Sequence, residues 1–204
     1  MTALSAALIL LSYVVGSVPA GYMVVRASRG MDVRRYGSGN VGAINVLRAA
    51  GPVAAVCVMA IDIAKGAVPV VVAQALGAPA GVVMACALVA IIGHNWSVFL
   101  GFNGGKGVAT TLGAVLALDW VVAAVVVLLW LLVVAISRYA SLGSLIACCC
   151  IPLLMWWRGD GTEAIIFGVL AAALAILRHR ANIVRLARGR ELKFNQRADK
   201  PAKE

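Results

Sequence analysis

Long apolar runs decide what this chain can fold into. They cover residues 3–25, 52–76, 79–92, 108–118, 120–137, 139–157 and 164–177. A helix crossing the hydrocarbon core of a membrane needs about 20 apolar residues, with a working range of about 17–25. Four of the runs reach that length. Those starting at Pro79, Val108 and Ala164 are short, so they extend into the flanking Gly-rich or basic segments or include a re-entrant piece. Of the 204 residues, 63% are hydrophobic and 13% are charged. That leaves too little polar surface for a water-soluble domain and too much apolar mass for a disordered one. The expected fold is all-α: a polytopic integral membrane bundle of about seven transmembrane helices. Residues 1–193 form the membrane domain and 194–204 a polar tail.

The first run has no basic segment before it and leads directly into Arg26, which is not the pattern of a cleavable signal peptide. No internal repeat is visible, which counts against a solenoid and, more weakly, against an inverted-repeat transporter. Cys57, Cys86, Cys148, Cys149 and Cys150 all lie in apolar runs, with no C-x-x-C pair. They read as small buried hydrophobes, not disulfides or metal ligands.

Charge placement sets the orientation. With seven alternating helices, 16 of the 18 Lys and Arg residues fall in segments on one side: 26–51, 93–107, the turn at Arg138, and the tail from Arg178. The excess of basic residues predicts that this side is cytoplasmic, that the N-terminus is outside and that the C-terminus is inside. The net charge of +10 is thereby explained without nucleic acid, for which there is neither aromatic interleaving nor a motif. The basic-side loops are long and rich in Gly, Ser and Asn; the opposite loops are minimal.

Three constellations lie on the basic side. In GSGNVGAINVLRAAG, residues 37–51, Gly37, Gly39 and Gly42 permit a nest of converging backbone N–H groups suited to an anion. Ser38, Asn40 and Asn45 add polar side chains, and Arg48 follows where the chain enters a helix. In GHNWSVFLGFNGGKGVATTLG, residues 93–113, Gly104, Gly105 and Gly107 surround Lys106 before a helix expected near Val108. A helix N-terminus favours anions. This is not a Walker A loop, because Leu100 and Gly107 occupy positions that need Gly and Ser or Thr. His94 borders the loop as a structural or a catalytic group. Trp96, Phe99 and Phe102 are interfacial anchors or the lining of an acyl entry. In RHRANIVRLARGRELKF, residues 178–194, helical spacing groups His179, Asn182 and Leu186, with Arg178 and Arg185 on another face. His179 and Asn182 are the functional candidates there; most of the arginines read as snorkelling. Asp62 and Lys65, three apart in the second run, read as a self-satisfying structural pair. Ser141 and Ser144 cap a helix or donate to a ligand.

These segments resemble the bacterial acyl-phosphate:glycerol-3-phosphate acyltransferase family. The similarity rests on GSGNVGA-NVLR at 37–48, GH…F…F-GGKGVAT at 93–110 and N-x-x-R-L-x-x-G-x-E at 182–191. GSVPAGY at 16–22 and the run of Asp62, Lys65 and Gly66 also match. The resemblance implies a seven-helix membrane enzyme that moves a fatty acyl group from acyl phosphate to the 1-hydroxyl of glycerol 3-phosphate, without cofactor or metal. Lysophosphatidic acid and phosphate are the implied products. It marks Ser38, Asn40, Asn45, Arg48, His94, Lys106, Gly107, Thr110, Asn182 and Glu191, with His179 just upstream and a substrate-contacting serine at 141 or 144. Ile44, Ser97 and Arg190 depart from the pattern, where the family more often has threonine, proline and threonine.

Two phosphorylated reactants suit these residues, since uncompensated charge in a low dielectric is costly. Acyl phosphate is already activated, so the protein needs mainly orientation and charge stabilisation. The expected division has the 37–40 loop cradling the acyl phosphate, and Lys106, Arg48, Asn182 and His179 holding glycerol 3-phosphate. Neither histidine has an Asp five residues on. A substrate phosphate oxygen is therefore favoured over a histidine as proton acceptor. The alternative class is a transporter for a phosphate-bearing solute.

Overall fold

The computed structural model describes residues 2–194 and 196. Among them are ten α-helices. α1 (Ala3–Ser17) and α2 (Ala20–Arg29) form one long apolar span, interrupted at Val18 and Pro19. After a short 3₁₀ turn at Val33–Arg35 come α3 (Ala43–Ala50), α4 (Pro52–Ala75) and α5 (Ala80–Asn95). A second 3₁₀ turn, Val98–Leu100, precedes α6 (Val108–Leu118), α7 (Trp120–Ser137), α8 (Ala140–Arg158), α9 (Thr162–Arg178) and α10 (Arg180–Ala187).

The helix boundaries follow local chemistry. Pro52 opens α4 at the position where its missing N–H costs nothing. Asp119 caps α7, its Oδ1 accepting from the N–H groups of Val121 at 2.7 Å and Val122 at 3.1 Å. Its Oδ2 takes a bond from Arg158 Nε at 2.8 Å, tying the start of α7 to the end of α8.

The short runs resolve in three ways. The third extends to Asn95 and the seventh starts at Thr162. The fourth, α6, stays at 11 residues. At about 1.5 Å per residue it rises about 16 Å, roughly half a hydrocarbon core. It is not a full crossing by itself. The seven expected helices are thus five long apolar spans, the half-length α6, and α9, which joins α10 through a 62° bend.

α6 rests directly on α4. A Cβ at Gly66 would meet the Thr110 carbonyl, and one at Gly113 would meet the Ile63 carbonyl. Backbones this close are the usual contact where helices must attract each other inside lipid. The wider interior is likewise built of small residues, among them Ala87, Ala90, Ala114, Ala147, Ala171 and Ala175. Large apolar side chains such as Leu10, Leu128, Leu132, Ile136 and Leu153 point outward. That inversion is expected when lipid, not water, is the solvent. The expectation that 194–204 is a polar tail falls mostly outside the described residues. Phe194, at its start, packs back on the bundle: its N–H donates to the Arg138 carbonyl at 2.7 Å and its ring meets Trp130 edge-on.

Candidate active site

Contacts between segments far apart in sequence gather the three constellations at one end of the bundle. In the first, Asn45 on α3 organises the loop before it. Its Oδ1 accepts from the Ser38 N–H at 2.9 Å. Its Nδ2 donates to the carbonyls of Val33, Tyr36 and Asn40 at 3.2, 3.0 and 2.8 Å. Asn40 Oδ1 accepts from the Gly42 N–H, closing the turn into α3. Gly37 and Gly39 take positive φ, as the nest reading expects. Ser38 is left exposed. One helical turn beyond Asn45, Arg48 reaches across the bundle, donating through Nη2 to the carbonyls of Leu192 at 3.3 Å and Lys193 at 3.0 Å.

The second constellation folds back on the end of α5. Gly104 N–H donates to the Asn95 carbonyl at 3.2 Å, and Gly105 N–H to the His94 carbonyl at 2.9 Å. The approach is so close that a Cβ at Gly104 would strike the His94 carbonyl. From the other side Arg178 donates to the carbonyls of Gly105 and Gly104, both at 2.9 Å, and its guanidinium lies over the Trp96 ring. With its loop clamped on two sides, Lys106 projects toward α10 and donates through Nζ to Asn182 Oδ1 at 2.6 Å.

The third constellation depends on the bend at His179, which carries α10 across the end of the bundle. Asn182 Nδ2 donates to Glu191 Oε1 at 2.5 Å, and Ser141 Oγ donates to the same oxygen at 2.9 Å. Arg185 Nε donates to Glu191 Oε2 at 2.7 Å. Burial pushes the Glu191 carboxyl up, but its bonds from Asn182, Arg185 and Ser141 outweigh this and hold it below the ordinary glutamate range. Lys106 is pushed down to about 8, by burial first, with Arg185, Arg48 and Arg178 adding to it and Glu191 opposing. His179 is buried, and its Nδ1 bonds the Ala175 carbonyl at 2.8 Å. Because a carbonyl only accepts, that nitrogen carries the proton and Nε2 is the free acceptor.

Chemically the end of the bundle is a cluster of four cations, Arg48, Lys106, Arg178 and Arg185, near the Glu191 carboxylate and the Asn182 amide. Such a cluster is suited to phosphate. The chain matches the family described as "Glycerol-3-phosphate acyltransferase" over residues 6–189. The chain belongs to that family. A glycerol-3-phosphate acyltransferase from Desulforudis audaxviator is 44% identical over 198 residues, 97% of this chain and 100% of that one. Glycerol-3-phosphate acyltransferase 2 of Moorella thermoacetica is 47% identical over 190 residues, 93% of this chain and 97% of that one. The crystal structure of PlsY (YgiH), an integral membrane glycerol 3-phosphate acyltransferase in its glycerol 3-phosphate form, superposes with a TM-score of 0.90. It is 38% identical, with 94% of this chain and 96% of that chain covered. Its lysophosphatidic acid form gives 0.87. Membership of this family makes the chain an integral membrane acyltransferase of phospholipid biosynthesis, and the transporter alternative is set aside.

Several candidates sit differently from their sequence-based reading. His94 borders the second loop as a structural or a catalytic group in the sequence, and the resemblance marks it as a site residue. Its ring is buried between Asp62 of α4 and Gly105, with Nδ1 3.5 Å from Asp62 Oδ1. The resemblance also marks Glu191 as a site residue. Its oxygens are occupied by Ser141, Asn182 and Arg185, and a carboxylate repels phosphate. Thr110 is fully buried at the α4–α6 crossing. Of the two serines, Ser141 joins the Glu191 network. Ser144 donates to the Ala140 carbonyl at 2.9 Å and accepts from Trp130 Nε1 at 3.2 Å. Ser97, at the departure from the pattern, donates to the Ser17 carbonyl, which a proline there could not do. Sequence reasoning missed Arg178 and Arg185. Their charge was visible, but their partners lie 73 residues away and beyond the end of α10.

Proposed function

We propose that this acyltransferase uses acyl phosphate as donor and the 1-hydroxyl of sn-glycerol 3-phosphate as acceptor. The hydroxyl oxygen attacks the acyl carbon, the carbon–oxygen bond to phosphate breaks, and lysophosphatidic acid and inorganic phosphate result. A phosphate oxygen takes the hydroxyl proton. His179, with its Nδ1 proton on the Ala175 carbonyl, presents Nε2 as an acceptor and holds a glycerol hydroxyl, not the phosphate.

The observation that carries this reading is the Lys106–Asn182–Glu191–Ser141 network, which unites the second and third segments beside Arg48. Two anions can be brought together there because their charge meets fixed cations. Lys106, Arg48, Asn182 and His179 hold glycerol 3-phosphate. The backbone around Ser38, shaped by Gly37, Gly39, Asn40 and Asn45, cradles the donor phosphate. Ser141 orients Glu191, and Glu191 orients Asn182 and Arg185. The two similar PlsY structures are a glycerol 3-phosphate form and a lysophosphatidic acid form, which supports the acceptor and the product. The charge asymmetry supports a site facing the cytoplasm, in the inner membrane of a bacterium, with the N-terminus outside.

Purified protein in detergent, given labelled glycerol 3-phosphate, tests the donor. Acyl phosphate should give lysophosphatidic acid, and an acyl thioester should not. Arg48→Ala and Lys106→Ala should each lower the rate at least about 10²-fold if they hold charge as the bond forms. Equal turnover of the thioester overturns the donor assignment. Near-normal rates in both variants overturn the site.

A further inference from the structure

α4 carries two buried charges inside a spanning helix. Asp62 and Lys65 are 2% and 6% exposed. Ionisable groups at that depth are expensive and need a reason to be there. Lys65 Nζ lies 2.8 Å from Asp62 Oδ1 and also donates to the Val18 carbonyl at 2.8 Å, at the break between α1 and α2. Together with His94, Ser17, Ser97 and Leu100 they border a cavity of ≈ 10 Å³. That is about the space of one water and far too small for a substrate.

The third member of the cluster connects it to the site. One edge of the His94 ring, Nδ1, faces Asp62. The other edge, Nε2, fills the place a Cβ on Gly105 would take. The His94 carbonyl also accepts the Gly105 N–H. Lys106 is the next residue. A ring with a carboxylate 3.5 Å from one nitrogen has a preferred orientation in the field of that charge, which an apolar ring of the same size lacks.

We propose that the Asp62–Lys65–His94 cluster is a positioning device for Lys106: it fixes the imidazole of His94 as the seat of the Gly104–Gly105 turn and so sets where the Lys106 ammonium points. The proposal rests on Lys106 being a ligand of the glycerol 3-phosphate phosphate. His94 is then a positioning residue that does not touch substrate.

The test is a double-mutant cycle of His94→Ala and Gly105→Ala in the full chain, in detergent. Each variant is checked for monodispersity. KM and kcat are read for glycerol 3-phosphate, and binding is read separately from the thermal shift that glycerol 3-phosphate produces. Gly105→Ala should raise KM at least about tenfold with kcat changed less than about threefold, because the new methyl group displaces the turn that carries the cation. His94→Ala should raise KM in the same direction. Removing the imidazole makes room for the methyl group, so the double variant should have a KM at least about threefold below that of Gly105→Ala alone. Losses that simply multiply in the double variant overturn the proposal. So does a normal KM in Gly105→Ala, or a kcat abolished in His94→Ala with KM unchanged. Where His94→Ala does not yield folded protein, His94→Asn replaces it in the cycle, and the same coupling with Gly105→Ala supports or overturns the proposal. A wild-type protein with no acyl transfer would sink the proposed activity, whereas the thermal-shift arm would still read the coupling between His94 and Gly105.

Discussion

Lys106 should impose an alkaline limit on acceptor binding. Its ammonium is pushed down from 10.5 to about 8 because burial penalises the charged form and Arg185, Arg48 and Arg178 repel it, with Glu191 only partly offsetting them. At about 1.36 kcal/mol per pH unit, that gap disfavours the charged form by about 3 kcal/mol. The folded value lies below the free value, so the positive charge is present below about pH 8 and is lost as pH rises through it. A phosphate monoester is already a dianion above about pH 7, so the ligand adds no further limb there. If only the ammonium form binds, KM for glycerol 3-phosphate should rise about tenfold between pH 7 and pH 9, following the fraction of Lys106 charged. Initial rates over that range, with acyl phosphate saturating, measure it. Lys106→Arg keeps its charge throughout, so its KM should be flat even if its kcat is lower. A flat KM in the wild type, or the same limb in Lys106→Arg, would refute the reasoning.

Other substitutions probe the supports of the site. Glu191→Gln removes the one carboxylate that gathers Asn182, Arg185 and Ser141; kcat/KM should fall at least about tenfold and the melting temperature should drop. Ser141→Ala should lower kcat/KM more than Ser144→Ala, since only Ser141 reaches Glu191. Asn45→Ala abolishes the bonds that shape the first loop, each worth about 1 kcal/mol; KM should rise for acyl phosphate more than for glycerol 3-phosphate. Gly113→Leu would drive a side chain into the Ile63 carbonyl on α4, an overpacking cost of about 1–3 kcal/mol or more, and should lower the yield of monodisperse protein.

Helix positions were largely legible because lipid solvation demands long unbroken apolar segments. α4, α7 and α8 lie within two residues of the runs that announced them. Length alone left α6 ambiguous. Gly66 and Gly113 let the α4 and α6 backbones meet, which is a property of the pair of helices. The site divides in the same way. Lys106, Arg48 and Asn182 stood out because Gly-rich loops and directed donors are chemically unusual beside a membrane. His94 was visible as a residue, but its role depends on which side of its ring meets Asp62 and which meets Gly105. Charge alone cannot distinguish Arg178 holding two carbonyls of the second loop from an arginine snorkelling to the surface. In both cases the deciding partner is remote in sequence, and no local pattern encodes it.

The most direct measurement is a crystal structure of this chain with glycerol 3-phosphate bound. The account predicts the phosphate within hydrogen-bonding distance of Lys106 and Arg48, with Asn182 against the ligand and His94 still seated behind Gly105. A phosphate bound at another part of the molecule, with Lys106 and Arg48 still on Asn182 and the carbonyls of Leu192 and Lys193, would contradict it.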